Sequence, residues 1–150
     1  MFVWSSLCTV PIGDAAGADR TVSKMAIEEL DRIIQQPDSR FVMVVMAAWC
    51  APCIKELPDL VAIHDKWAQN GLNLIGLSID YSGPDAMIPI LNKYRVNFPV
   101  YWVGEAAIEA YDIRKIPLMM LVKDGVITAR VVGMRTRKAM ETRIVEFIKY

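Results

Sequence analysis

A chain of 150 residues, 54% of them hydrophobic, has the size of one domain and ample material for one core. Seventeen basic residues balance seventeen acidic ones, so the formal charge is zero and no bulk charge recruits nucleic acid. Three cysteines are too few for a disulfide scaffold at this length, and the longest apolar run, Phe41 to Ala51, falls short of the about 20 residues a membrane-crossing helix needs.

Residues 1–20 are expected to be a leader or a loosely ordered N-terminal segment. Phe2 to Ile12 is apolar, and Ala16-Gly17-Ala18 has the small-x-small form of a signal-peptidase site, although a basic stretch ahead of it is missing. The segment reads as the remnant of an export signal or as a loose leader, with Cys8 dispensable in the first case. The folded domain is expected over residues 21–150.

Met25, Glu29, Leu30, Ile33 and Ile34 recur at helical spacing and stop at Gln36-Pro37-Asp38, which predicts a first amphipathic helix. Phe41 to Met46 is a short unbroken apolar run, as expected of a strand covered on both faces and central in a parallel arrangement. From Ala51 to Asn70 the pattern is helical, with Cys53, Leu57, Leu60, Val61, His64 and Ala68 on one stripe, a kink at Pro58 and a stop at Gly71. Leu72 to Ile79 is a second strand. A helix follows from Ser82, presenting Met87, Ile90, Leu91 and Tyr94, with Pro89 disturbing its first turns. An extended piece at Phe98 to Val103 and a helical one at Glu105 to Tyr111 come next. Leu118 to Val122 and Val126 to Val132 are joined by a turn at Lys123-Asp124-Gly125, which predicts a hairpin. A last helix buries Met140, Ile144, Phe147 and Ile148. Strands alternating with helices, then a hairpin and a closing helix, indicate an α/β fold with a mixed sheet between helices.

The chemistry concentrates at Cys50-Ala51-Pro52-Cys53. Cys50 follows a buried strand and opens a helix, where backbone N–H groups without intrahelical partners and the positive end of the helix dipole stabilise a thiolate. Residues three apart on a helix are neighbours, so Cys53 lies within disulfide reach of Cys50. Pro52 sits in the first turn, where its missing N–H costs no helical bond, and it stiffens the loop. Cys50 is expected to attack a substrate disulfide and Cys53 to resolve the mixed disulfide. Two other readings of the pair are packing and zinc ligation, but a closed zinc site needs four ligands. The lone His64 lies about 21 Å further along a helix, and it reads as a hydrogen-bonded structural histidine. No metal and no organic cofactor is called for. Glu56 projects beside Cys53 and is either a base for the Cys53 thiol or a solvated glutamate complementing the helix dipole.

Ala48-Trp49-Cys50-Ala51-Pro52-Cys53 resembles the active-site stretch of the thioredoxin superfamily, and Ile116-Pro117 resembles its cis-proline loop. Cys53-Ile54-Lys55-Glu56-Leu57-Pro58 and the extra segment from Tyr81 to Val103 resemble, more narrowly, the TlpA/ResA-like thiol-disulfide oxidoreductases. The resemblance implies a thioredoxin-like fold with a helix-plus-strand segment inserted before the cis-proline loop. It implies that Glu56 tunes the thiols, standing in for a buried aspartate that plain thioredoxins carry where this chain has Val44. It implies that Pro117, after Ile116, faces the cysteines and offers backbone groups to an extended substrate, and that Trp49 shelters the disulfide. An ordinary trans proline turn and a core tryptophan are the plainer alternatives.

The activity so implied is reduction of protein disulfides by dithiol exchange. The expected partners are protein disulfides, such as apocytochrome c or other envelope proteins, and an upstream dithiol donor. The expected location is periplasmic or envelope-facing, with a cytoplasmic one left open. A disulfide oxidase or isomerase, and a copper(I) carrier using both thiolates, are the rival functions.

Overall fold

The computed structural model describes residues 20–150. The expectations for the leader and for Cys8 concern residues outside this range.

The chain runs β1 (Ser23–Lys24), α1 (Ile27–Ile34), β2 (Arg40–Met46), α2 (Ala51–Trp67), β3 (Leu74–Ser78), α3 (Ile88–Lys93), β4 (Val100–Trp102), α4 (Ala106–Ala110), β5 (Leu118–Lys123), β6 (Val126–Val132) and α5 (Arg137–Lys149). The strands form one sheet in the order β1-β4-β3-β2-β5-β6. β1, β4, β3 and β2 are mutually parallel, whereas β5 is antiparallel to β2 and to β6. β2 is therefore central, but parallel to its neighbour on one side only. Every residue of β2 from Phe41 on, and every residue of β3, is buried, so both faces of the mid-sheet are covered. α2 packs against α5, and α1 against α4. β6 is an edge strand whose side chains alternate between exposed and half-buried.

The segment between β3 and β5 supplies α3, β4 and α4, and β4 enters the sheet between β3 and β1. β1 gives no sequence signal because two residues cannot show alternation. It also explains why the first helix starts later than the periodicity predicts. The Met25 N–H donates to the carbonyl of Trp102 at 2.9 Å, which holds Met25 extended beside β4, and α1 begins at Ile27.

α2 continues through Pro58, and Gly71 ends the following 3-10 turn at φ 96°, a left-handed geometry that favours glycine. Its buried residues are Cys53, Glu56, Leu57, Leu60 and Ile63; Val61, His64 and Ala68 are only half-buried. His64 packs edge-on to Phe98, with ring centroids 5.8 Å apart. Pro89 is accommodated in the first turn of α3, after a 3-10 turn at Pro84–Met87. The β5–β6 hairpin closes through Asp124 and Gly125, both at positive φ (52° and 86°), the geometry of a two-residue turn that matches strand twist.

The C-terminal ends of β2 and β3 and the start of the antiparallel β5 meet at one edge of the molecule. The loops there carry Ala48 to Cys50, Asp80 to Tyr81, and Ile116-Pro117, and the first turn of α2 adds Ala51 to Cys53.

Candidate active site

Cys50 is the N-cap of α2, with extended backbone angles, and its sulfur accepts the Cys53 N–H at 3.3 Å. The helix therefore directs one of its unpaired donors at this sulfur. Pro52 occupies the first turn, where no donor is lost. Cys50 and Cys53 are joined by a disulfide with Cα atoms 5.3 Å apart, and both are buried.

The loop entering the helix is fixed from a place the sequence does not advertise. Asp80, buried just after β3, accepts the Ala48 N–H at Oδ1 (2.9 Å) and the Ser78 hydroxyl at Oδ2 (2.7 Å). Its own carbonyl accepts the Trp102 indole N–H at 2.8 Å. A carboxylate filled on both oxygens is at low cost in the interior, and here it anchors the residue two before Cys50. The local signal was an acid closing an apolar strand. Its partner lies 32 positions back, outside any periodicity argument.

Trp49 is not core filling. It is 53% exposed and stacks on Tyr81, itself 62% exposed, with centroids 5.5 Å apart and planes 8° from parallel. The pair stands beside Cys50 as an exposed aromatic wall.

Glu56 is buried on α2, one turn beyond Cys53, and its Oε1 accepts the Arg135 N–H at 2.6 Å. It is therefore not the solvated helix-end glutamate of the plainer reading. Burial pushes its carboxyl above the ordinary value of 4.5, and the Arg135 hydrogen bond and charge only partly oppose that.

The Ile116–Pro117 peptide bond is cis. Pro117 is buried and its carbonyl accepts the Gly133 N–H at 2.8 Å, so it is already engaged. Among the described residues, neither backbone group of Ile116 has a hydrogen-bond partner. Of the two residues expected from sequence to offer backbone groups, Pro117 has its carbonyl engaged by Gly133, whereas those of Ile116 are unpaired among the described residues.

A groove of about 650 Å³ joins these parts. Trp49, Cys50, Ala51, Pro52 and Tyr81 line it together with the apolar Ile79, Ile108, Ile113 and Ile116 and the cationic Arg114 and Lys115. Of the residues singled out from sequence, Trp49, Cys50, Ala51, Pro52 and Ile116 line this groove, whereas Cys53 and Glu56 lie behind it in α2.

Known proteins share both sequence and architecture with this chain. Thiol-disulfide oxidoreductase ResA of Bacillus thuringiensis is 30% identical over 95 residues, which is 62% of this chain and 54% of the relative. The chain thus spans about half the length of that relative. In structure, StoA from Bacillus subtilis superposes with a TM-score of 0.62 at 20% identity, covering 73% of this chain and 84% of StoA. A secreted Mycobacterium tuberculosis disulfide oxidoreductase homologous to E. coli DsbE gives 0.63 at 18% identity, covering 73% and 83%. These two show a shared thioredoxin-like fold. The AhpC/TSA family profile matches residues 21–135, from the strand before α1 to the loop before α5, and on that match the chain belongs to the AhpC/TSA family.

Proposed function

We propose that this protein is a thiol-disulfide oxidoreductase that reduces protein disulfides through Cys50 and Cys53. The observation that carries the reading is the Cys50–Cys53 disulfide at the N-terminus of α2, opening onto a groove that ends at the cis Ile116–Pro117 bond. In the reduced protein the Cys50 thiolate attacks one sulfur of a substrate disulfide. A mixed disulfide forms and the first substrate sulfur leaves as a thiol. The Cys53 thiol loses its proton and its sulfur attacks Cys50 Sγ, which breaks the bond to the substrate sulfur, releases it as the second thiol and closes the protein disulfide. Two electrons and two protons pass to the substrate, and an upstream dithiol restores the pair.

Each neighbouring group has a place in this cycle. Cys50 is the sulfur supported by a helix donor, so it attacks; Cys53, beneath it, resolves. Glu56, buried with a raised proton affinity one turn from Cys53, accepts the Cys53 proton. Ile116, held by the cis Pro117, pairs with the substrate backbone. Trp49 borders the disulfide, and Ala51 and Pro52 shape its loop.

The relatives' names support an oxidoreductase, and the resemblance to the TlpA/ResA-like branch supports an envelope-facing location. No helix among the described residues is long and apolar enough to cross a membrane. The resemblance to the TlpA/ResA-like branch supports apocytochrome c or other envelope proteins as substrates.

Equilibration of the Cys50–Cys53 couple in glutathione buffers tests the direction. A potential at or below about −220 mV, towards the thioredoxin end of the scale, is expected of a reductant. A potential near about −120 mV, like that of DsbA, would make the protein an oxidant instead.

A further inference from the structure

We propose that the groove selects substrate segments bearing a carboxylate side chain within a few residues of the disulfide-bonded cysteine, and that Arg114 and Lys115 read that carboxylate. The inference rests on the oxidoreductase reading and specifies its substrate class.

The lining isoleucines and the stacked Trp49–Tyr81 pair accept an apolar side chain but cannot distinguish one charge from another. Discrimination has to come from the charged residues that line the groove. These are Arg114 and Lys115, with no carboxylate beside them in the lining. Glu105, at the N-cap of α4, and Glu109, within it, do not line the groove. Because the whole chain has zero formal charge, this pair is a local feature rather than a sample of a basic protein.

Both cations are available to a ligand. The Arg114 Nε donates to Asp112 Oδ1 at 2.9 Å, but these side chains are 84% and 71% exposed, and an ion pair so placed is weak and easily exchanged. Its two terminal nitrogens have no partner among the described residues and can make a two-point grip on a carboxylate. Lys115 has no hydrogen-bond or ion-pair partner among the described residues. Lys115 and Arg114 directly precede Ile116, whose unpaired backbone groups face an incoming strand. A segment paired there advances about 3.3 Å per residue, so it passes both cations within a few residues of its cysteine.

The test uses three synthetic peptides with one central cysteine joined through a disulfide to 2-mercaptoethanol, the flanking positions being Asp, Asn or Lys. Reduced full-length protein is assayed for kcat/KM on each, and every rate is divided by that with dithiothreitol to remove the peptide's intrinsic reactivity. The expected order is Asp over Asn over Lys, with roughly fivefold between successive peptides at low salt. The three should converge at about 1 M salt, where charges are screened within about 3 Å. The R114E/K115E protein should reverse the order, whereas K149E, altered at the C-terminal end of α5, should keep it. Equal rates on all three peptides, or an unreversed order in R114E/K115E, would overturn the inference and leave the oxidoreductase reading standing. Failure to reduce any of the peptides would overturn both.

Discussion

Two carboxylates are buried among the described residues, one on each side of the redox loop, and they are held in different ways. Asp80 is occupied on both oxygens, by the Ala48 N–H and the Ser78 hydroxyl. Among the described residues Glu56 has one hydrogen-bond partner, the Arg135 N–H on Oε1, and its burial raises its affinity for a proton. A carboxylate whose acceptor capacity is used by fixed donors sets geometry. One with a spare oxygen and a raised pKa can take up a proton and give it back. Asp80 accordingly holds the loop in position, and the proposed function gives Glu56 the role of proton acceptor for Cys53.

Replacing Glu56 with Gln separates the two roles most sharply. The shape is kept and the basicity lost, so resolution of the mixed disulfide should slow by about 10²-fold or more where proton transfer limits it. Loss of the nearby negative charge should also lower the thiol pKa values, read by alkylation rate against pH. If neither changes, Glu56 serves only to hold the loop at Arg135, and the contrast with Asp80 disappears.

Asp80→Ala should act on structure first. It leaves the Ala48 N–H and the Ser78 hydroxyl without their acceptor, at a cost of about 1–3 kcal/mol in denaturant unfolding, and exchange activity should fall with it. Asp80→Asn keeps an oxygen for the Ala48 N–H and should recover most of both losses. A fully active and stable Asp80→Ala protein would show that the clamp is dispensable.

The smallest expected effect is in pH dependence. The folded protein binds the Glu56 proton more tightly than the unfolded chain, whose carboxyl titrates near 4.5. Between that value and the raised folded one the native state holds more protons, so this group's contribution lowers stability as pH rises through the window. Urea unfolding of the oxidised protein from pH 4 to 8 should show a decline that Glu56→Gln lacks. A decline of the same size in both proteins would remove Glu56 as its source.

What the sequence reveals follows the range over which each cause acts. The cysteine pair at a helix start, the unbroken apolar strands and the Asp124-Gly125 hairpin are local, and each is where periodicity and turn chemistry put it. The two-residue β1 and the late start of α1 depend on a bond from Met25 to Trp102, far along the chain. Periodicity puts Val61, His64 and Ala68 on the covered stripe of α2. Burial instead falls on a neighbouring line through Glu56 and Ile63, and a hydrophobicity count passes over a glutamate. Asp80 with Ala48 and Tyr81 with Trp49 are pairings between the ends of two parallel strands, β3 and β2. Adjacency in the sheet creates them, and nothing nearby in the chain announces them.

Trapping the mixed disulfide tests the central claim, that Cys50 attacks and Cys53 resolves, most directly. Reduced Cys53→Ser protein, incubated with a disulfide-bonded substrate and analysed by mass spectrometry, should accumulate a covalent adduct at Cys50, while Cys50→Ser protein should form none and lose exchange activity altogether. An adduct at Cys53 in the Cys50→Ser protein, or faster alkylation of Cys53 than of Cys50 in the reduced wild type at neutral pH, would contradict the assignment.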